Sequence, residues 1–300
     1  MKNKTASGVA EGRSSGLKSF KRHAEQDNAM SRINFSNQEV RLVLGKSAIT
    51  FPDGYRSKVE KHWARINDNG QFFNGPVLAA SSVTTDGSGP VVELSLTDYA
   101  HYLYAAQDLS HEFDCRAVFC AAAIVTSDNH LLFGEMAGHT SAPGQIQLPG
   151  GGVEMGTDGE LDARTCCQRE VAEELGREFL REGARFRPVS LKYGGNLSTV
   201  GIFYALSLDM TTEQAQDSFA RYQSEQLAAG ALPEFDRLHA VKFDLKALNQ
   251  FFRLNKDRIV DYLAPLLEAG WDEASAALLS FKAETTSPDT WSGSHVLEPR

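Results

Sequence analysis

The sequence predicts an α+β protein in which helices sandwich a mixed sheet. Segments typical of strands and segments with helical spacing both occur, and they do not alternate strictly along the chain. The chain has 300 residues, 42% of them hydrophobic, which is enough for one large domain or two smaller ones. No internal repeat is visible. These observations favour a mixed sheet over an all-helical or all-strand architecture.

Four segments are expected along the chain. Residues 1–36 are polar and basic without the apolar core of a signal peptide, so we predict a disordered leader there. Residues 37–112 are predicted to form a small α/β unit, and residues 113–285 the main domain, with helices towards its C-terminal end. Residues 286–300 contain Pro, Ser and Gly and are expected to be a mobile tail.

The first unit is predicted to combine a small sheet with two helices. The helical spacing of Val59, Trp63 and Ile66 predicts the first helix, and Asp98 is expected to begin a second, aromatic helix. Short β-rich runs predict the strands: "EVRLVLG", "SAITF", "GPVLAASSVTT" and "PVVELSLT". The turn "DGSG" joins the last two.

The main domain is predicted to begin with a hairpin of "RAVFCAAAIVTS" and "HLLFGEM". A strand then leads into the glycine-rich loop of "GQIQLPGGGVEMG", and "LDARTCCQREVAEEL" predicts a helix that ends near Gly176. Two strands, "RPVSLKYGG" and "TVGIFYALSLD", precede a helix with Thr212 as its cap and Gly230 at its end. "RLHAVKFD" is the final predicted strand, and "RIVDYLAPLLEAG" is a late helix.

Composition excludes several function classes. The formal net charge is -9, so no global field attracts nucleic acid or an anionic membrane, and neither partner is expected. No apolar run approaches the length of a membrane span. The four cysteines form no CxxC pair, so we expect neither a disulfide framework nor a cysteine metal site. A reducing cytoplasm is the expected location.

The stretch "REVAEELG" places Glu170, Glu173 and Glu174 on one side of the predicted helix. Residues three and four apart are neighbours on a helix, so these carboxylates repel one another. Taken alone, the stripe is explained by a solvated surface on which Arg169 pairs with Glu173, worth ~0.3–0.5 kcal/mol. The apolar side is expected to pack on a sheet while the acidic stripe faces away from it.

The preceding loop favours a different explanation of the stripe. "LPGGGVEMG" has three consecutive glycines, which let the backbone turn sharply and approach a ligand closely. Loop carbonyls and helix carboxylates concentrate oxygen atoms at one place, and Mg²⁺ prefers such oxygens together with the phosphate oxygens of a substrate. The acidic stripe is then tolerable because divalent cations neutralise it.

With these residues in view, the sequence resembles the Nudix hydrolases. Their signature is a glycine, five residues, Glu, seven residues, and then Arg-Glu-aliphatic-any-Glu-Glu-any-Gly-aliphatic. The matching residues of its second half are Arg169, Glu170, Val171, Glu173, Glu174 and Gly176. The lead-in "GQIQLPGG" is also similar to the family's approach to this box.

The sequence departs from this signature at two places. Between Gly151 and Arg169 the segment is four residues longer than the pattern, and Thr157 stands where the first glutamate is expected. Glu160 is the nearest candidate to replace it. Arg177 follows the final glycine in place of an aliphatic residue.

The resemblance implies a Nudix-type α/β/α sandwich and metal-dependent hydrolysis of a small-molecule nucleoside diphosphate derivative. Its implied ligands for Mg²⁺, with Mn²⁺ as a substitute, are Glu170 and Glu174, assisted by Glu173 and completed by the carbonyl of Gly151. Its implied catalytic group is Glu170, Glu173, Arg169 and Glu160, with Arg169 orienting the acids through Glu173 or Glu160. For the base on a downstream loop the candidates are Glu234 and Glu225, each of which is alternatively an ordinary surface acid.

The first unit resembles the N-terminal region of UDP-sugar diphosphatases within this family. The shared features are the helix with Trp63, the "FNGP" of residues 73–76 and the "LTDYAHYL" helix. This resemblance implies UDP-glucose or UDP-galactose cleaved to UMP and a sugar 1-phosphate. Trp63 and His139 are candidate substrate contacts. The alternative for Trp63 is packing in the core, and the alternative for His139 is a solvated side chain on a loop.

Two other functions stay open at this point. One is a Nudix hydrolase for ADP-ribose, a dinucleotide or another diphosphate, and the other is a ligand sensor that keeps the fold without catalysis. The three glutamates favour an enzyme, because a pure binder has no need of three repelling acids. A homodimer is kept open as a further partner, since the sequence does not define the oligomeric state.

Overall fold

The computed structural model describes residues 32–263, except residues 47, 71, 109, 111, 157–158, 182–183 and 195–197, and also residue 276. The strands are β1 (Arg32–Phe35), β2 (Arg41–Leu44), β3 (Pro76–Asp86), β4 (Gly89–Asp98), β5 (Val118–Val125), β6 (His130–Met136), β7 (Ile146–Gln147), β8 (Gly150–Gly152), β9 (Arg185–Tyr193), β10 (Val200–Ser207) and β11 (Phe235–Lys242). The α-helices are α1 (Asp53–Ile66), α2 (Tyr99–Ala105), α3 (Ala163–Leu175), α4 (Thr212–Ala228) and α5 (Leu245–Leu254), and a 3₁₀ helix spans Arg177–Leu180. None of the helices in these residues is long and apolar enough to cross a membrane.

Among the residues that the structure describes, eight strands form the larger sheet. Its main path runs β1-β9-β10-β5-β6-β11, with β7 paired to β6 and β8 paired to β5. The β10–β5 pair is parallel, with Val200 opposite Val118, whereas the other pairs are antiparallel. The predicted mixed sheet is therefore confirmed.

Helices cover both faces of this sheet because its central strands bury alternate residues on opposite sides. On β5, Cys120 and Ala122 belong to the core that contains α3 and α4. Ala121 and Ala123 of the same strand belong to the core on the other face, which includes Leu248 of α5. This arrangement confirms the α/β/α sandwich.

The first unit has a three-stranded sheet in the order β2-β4-β3, flanked by α1 and α2. As predicted, Asp98 caps α2, and its side chain accepts a hydrogen bond from the His101 backbone N–H at 2.8 Å. Leu78 of β3 packs in the same core as α3, and the Ala80 N–H donates to the Arg116 carbonyl at 2.8 Å. The two parts share a core, and the boundary at residues 112/113 stays a prediction.

The N-terminal half departs from the prediction at two places. Residues 32–35, at the end of the predicted leader, form β1 and pair with β9, while residues 1–31 lie outside the described part. "SAITF" is not a strand over its described residues, although the Ile49 N–H donates to the Leu96 carbonyl at 2.9 Å. Pro52 follows at once and precedes α1, which leaves no length for a ladder.

The C-terminal half also departs from the prediction. Helix α5 was not predicted, although Leu248, Phe251 and Phe252 all pack into the core. The cap of α4 is Thr211 rather than Thr212, because the Thr212 hydroxyl donates to Asp128 Oδ1 at 2.9 Å. Of the late helix predicted over residues 258–270, residues 258–262 form turns and a bridge to β7 instead, and Leu263 is helical. The rest of that helix and the predicted tail lie outside the described residues.

Candidate active site

The glycine-rich segment and the acidic helix meet at β8, which pairs with β5 so that Gly151 lies opposite Cys120. The Gly150 N–H donates to Glu174 Oε2 at 2.7 Å. A Cβ placed on Gly151 would lie 2.5 Å from Glu170 Oε2, which is closer than non-bonded atoms approach. The missing side chain at Gly151 therefore lets the Glu170 carboxylate lie against the strand.

Glu174 is almost fully buried, with 2% of its surface exposed. Its Oε1 atom is buried without a hydrogen-bond partner among the described residues. Burial raises the pKa of Glu174 well above its ordinary value, the charges of Glu234 and Glu170 raise it further, and the bond from Gly150 opposes them. An unsatisfied buried carboxylate oxygen is costly, so this atom is suited to receive a cation.

Glu170 is the second acid of this pair and is largely buried, with 15% of its side chain exposed. Burial raises its pKa to about 7; Arg169 opposes this shift, while Glu173 and Glu234 add to it. Arg169 Nη2 lies 2.7 Å from Glu170 Oε1. One guanidinium therefore balances part of the acidic charge and orients this carboxylate.

Arg169 has partly different partners from those predicted. Its guanidinium lies 3.0 Å from Glu154 Oε2 and 3.8 Å from Glu173 Oε2, besides the closer contact with Glu170. The pair with Glu173 was predicted, whereas Glu154 was missed. The only signal in the sequence was an acid within the glycine-rich loop, and its reach to Arg169 depends on how that loop folds back.

Glu173 and Glu160 are both exposed, unlike Glu174. The Glu173 side chain is 60% exposed, and its main-chain carbonyl accepts a hydrogen bond from the Tyr222 hydroxyl at 2.7 Å. Glu160 is exposed, and its carbonyl accepts a hydrogen bond from the Gly156 N–H at 2.8 Å. Thr157 lies outside the described residues, so the roles given to Glu173 and Glu160 stay predictions.

The prediction that the acidic stripe faces away from the sheet is wrong for two of its three members. Glu170 and Glu174 lie against β8, and only Glu173 is mainly in solvent. The physical reason is that β8 consists of glycines and leaves space beside its backbone for carboxylates. The periodicity of the helix alone cannot show this space beside the neighbouring strand.

Glu234 and His139 lie on two loops that are joined near these acids. The Ala137 N–H donates to the Glu234 carbonyl at 2.8 Å, which ties the two loops together. Although Glu234 is exposed to solvent, the surrounding protein partly desolvates its carboxylate and raises its pKa; the charge of His139 lowers this pKa, and the charge of Glu173 raises it. Glu225 lies on α4, exposed to solvent.

Trp63 lies in the first unit rather than at these acids. Its ring meets the edge of Tyr99 at a centroid distance of 6.3 Å, within the aromatic cluster between α1 and α2. In the "FNGP" segment, Asn74 Oδ1 accepts from the Ala100 N–H at 2.8 Å and the Gly75 carbonyl accepts from the Tyr99 N–H at 3.0 Å. The "FNGP" segment and the "LTDYAHYL" helix are thus joined by hydrogen bonds. A substrate contact by Trp63 or His139 stays a prediction.

The buried pair fits a hard divalent cation. Across the described residues, no group of three or more His, Cys, Asp and Glu side chains could hold a metal ion. The available protein ligands are therefore the two carboxylates and the Gly151 carbonyl. This number suits Mg²⁺, which needs few protein ligands because it retains waters and binds substrate phosphates. The partnerless oxygen of Glu174 and the mutual repulsion of the acids both favour a cation at this position.

Comparison with known proteins agrees with this geometry. A family model described as NUDIX domain matches residues 116–256. Residues 116–256 are a NUDIX domain. The matched range contains β8, α3 and Glu234. No curated protein matches the chain.

Solved structures similar to this chain include a bifunctional NMN adenylyltransferase/ADP ribose pyrophosphatase from Francisella tularensis, at 15% identity and a TM-score of 0.33. This match covers 55% of the present chain and 44% of that one, so the present chain spans less than half of its length. A NUDIX hydrolase from Nitrosomonas europaea matches at 15% identity and a TM-score of 0.29, covering 54% of this chain and 89% of that one. At these values the likenesses carry no argument about a substrate.

Proposed function

We propose that this Nudix protein is a metal-dependent diphosphatase that cleaves a nucleoside diphosphate derivative. The observation that carries this proposal is the pair of buried acids, Glu170 and Glu174, beside the backbone of Gly151. Phosphoryl transfer needs charge neutralisation and in-line positioning more than covalent chemistry. A site with excess buried negative charge and a partnerless carboxylate oxygen supplies the first requirement once a divalent cation binds.

The residues that would hold Mg²⁺, or Mn²⁺ in its place, are Glu170, Glu174 and the carbonyl of Gly151. When bound, such a cation polarises the diphosphate and lowers the pKa of an attacking water. Arg169 keeps the Glu170 carboxylate in place through the contact of 2.7 Å. Glu234 is the best-placed candidate base, because its charge acts on both buried acids and its raised pKa suits a proton acceptor.

For the substrate we propose a UDP-sugar, with UMP and a sugar 1-phosphate as products. The support is the first unit, whose "FNGP" and "LTDYAHYL" segments resemble those of UDP-sugar diphosphatases and contact each other through Asn74 and Ala100. The same buried acids would serve another diphosphate equally well, so ADP-ribose and dinucleotides belong in the test. A cytoplasmic location and a homodimer remain expectations from the sequence.

The test is a substrate panel with product identification. Purified full-length protein is incubated with UDP-glucose, UDP-galactose, ADP-ribose and a dinucleoside polyphosphate, each with Mg²⁺, with Mn²⁺ and with EDTA. Mass spectrometry in ¹⁸O-labelled water then shows which product carries the label and therefore which phosphorus is attacked. We expect UMP and a sugar 1-phosphate in the Mg²⁺ arms and no turnover with EDTA.

The outcomes separate the open functions. Preferred cleavage of ADP-ribose or the dinucleotide would overturn the UDP-sugar proposal and keep the diphosphatase. Binding of a nucleotide without any turnover in either metal would favour the ligand sensor. Glu174→Gln is the matched inactive control, since it keeps the shape of the side chain and removes its charge.

A further inference from the structure

The C-terminal turn of α3 is held by a tyrosine from α4. The Tyr222 hydroxyl donates to the Glu173 main-chain oxygen at 2.7 Å. Carbonyl oxygens in the last turn of a helix lack partners within the helix, so this bond satisfies a group that needs one. Gln226, one turn further along α4, donates its Nε2 to the Tyr222 hydroxyl at 2.6 Å. The hydroxyl is thereby fixed between a donor and an acceptor.

Gly176, which ends α3, makes this contact possible. Its φ is +98°, and a Cβ there would lie 3.0 Å from Cγ of Tyr222. The tyrosine ring therefore packs directly on the backbone at the end of the acidic helix, where a side chain would both strain the backbone and displace the ring. In this chain the last glycine of the matched motif makes room for Tyr222.

The next residue of α4 holds the segment that carries Glu234. Gln223 Nε2 donates to the Phe235 carbonyl at 2.8 Å and to the Asp236 carbonyl at 3.3 Å. Phe235 directly follows Glu234 and begins β11. Two adjacent side chains of α4 thus bind the two main-chain segments on which the acids lie: the end of α3 and the start of β11.

We propose that Tyr222 and Gln223 are positioning residues that set the distance between the carboxylates of Glu174 and Glu234. They act through the main-chain carbonyls of Glu173 and Phe235 and touch no reacting group themselves. The inference rests on the proposed function, since the spacing of these acids affects turnover only if the site cleaves a diphosphate.

The test compares Tyr222→Phe with Tyr55→Phe in the full chain. Tyr222→Phe keeps the ring on Gly176 and removes only the hydroxyl, and we expect kcat to fall about 10-fold with KM changed less than about twofold. Tyr55→Phe is the matched control, because its hydroxyl also donates to a main-chain carbonyl, that of Phe113 at 3.1 Å, in the first unit. We expect its kcat to equal that of the wild type. Gln223→Met, which removes the amide, is expected to act in the same direction as Tyr222→Phe.

A second readout does not depend on turnover. The Gly150 N–H donates to Glu174, so a shift of α3 is expected to speed hydrogen exchange in the peptide containing Gly150. Faster exchange and lower kcat in Tyr222→Phe, with a thermal midpoint close to that of Tyr55→Phe, support the inference. Wild-type kcat, or unchanged exchange at Gly150, overturns it. Absence of wild-type turnover on every diphosphate would instead overturn the proposed function, and the exchange comparison would still decide whether Tyr222 positions α3.

Discussion

Replacing Gly151 by alanine tests whether the close approach of Glu170 to β8 is functional. The new Cβ would lie 2.5 Å from Glu170 Oε2 and 2.6 Å from its carboxyl carbon, whereas ordinary contact begins at 3.4 Å. Glu170 must therefore retreat by about 0.9 Å, because Gly151 pairs with Cys120 in the sheet and its backbone cannot move freely. The backbone of Gly151 itself is not in the left-handed region, so alanine adds no backbone strain.

The expected magnitude follows from this displacement. A misplacement of about 1 Å at a catalytic group can cost about 100-fold in rate, which corresponds to about 2.7 kcal/mol of transition-state stabilisation. Overpacking of a filled site costs about 1–3 kcal/mol of folding stability, and we expect the lower end because the obstructing atoms end a flexible side chain. Gly151→Ala should thus lower kcat/KM far more than it lowers the thermal midpoint.

The adjacent Gly152 provides a matched control. A Cβ on Gly152 would meet nothing within 4 Å, and its φ is not positive. Steady-state kinetics with Mg²⁺ titration and thermal unfolding are measured for wild type, Gly151→Ala and Gly152→Ala. We expect Gly152→Ala to behave as wild type. If Gly151→Ala retained kcat/KM within about twofold of Gly152→Ala, the carboxylate would not need its place against β8, and the site geometry would be misassigned.

Three further predictions follow from individual contacts. Glu174→Gln should lower turnover more than about 100-fold, because it removes the buried charge. Its thermal midpoint without metal should equal or exceed that of the wild type. Glu173→Gln, at an exposed position, should lower turnover much less in the same assay. Burial lowers the pKa of His101 below its ordinary 6.5, so the unfolded state binds more protons than the folded state in that range. The free energy of unfolding should therefore fall as the pH drops below about 6.5. Denaturant melts across this range should show the loss, and His101→Gln should weaken this pH dependence. Gly134→Ala should destabilise the fold by about 1–3 kcal/mol in denaturant melts, because its Cβ would lie 2.5 Å from the ring of Phe235; a midpoint equal to wild type would show that β6 and β11 can separate without cost.

Most of the secondary structure could be predicted because local patterns carry it. Helix α3 follows from its apolar spacing and from Gly176 at its end, and the β5–β6 hairpin follows from two apolar runs around a turn. Helix α5 was missed although its apolar residues recur at helical spacing. "SAITF" was overpredicted, because β propensity does not show that Pro52 leaves no room for a ladder. Strand β1 pairs with β9, far along the chain, and such long-range pairing has no local signal.

The candidate site divides in the same way. By itself the sequence determined which residues supply its chemistry, since the order of glycines, Arg169 and the glutamates is a property of the chain that needs no coordinates. The tertiary structure decided how they are used: Glu170 and Glu174 are buried against β8, Glu173 stays in solvent, and Glu154 joins Arg169. It also brought Tyr222 onto Gly176 and the Glu234 segment near the acids. The physical reason is that burial and charge environment depend on contacts between segments distant in sequence, which the periodicity of a single helix does not encode.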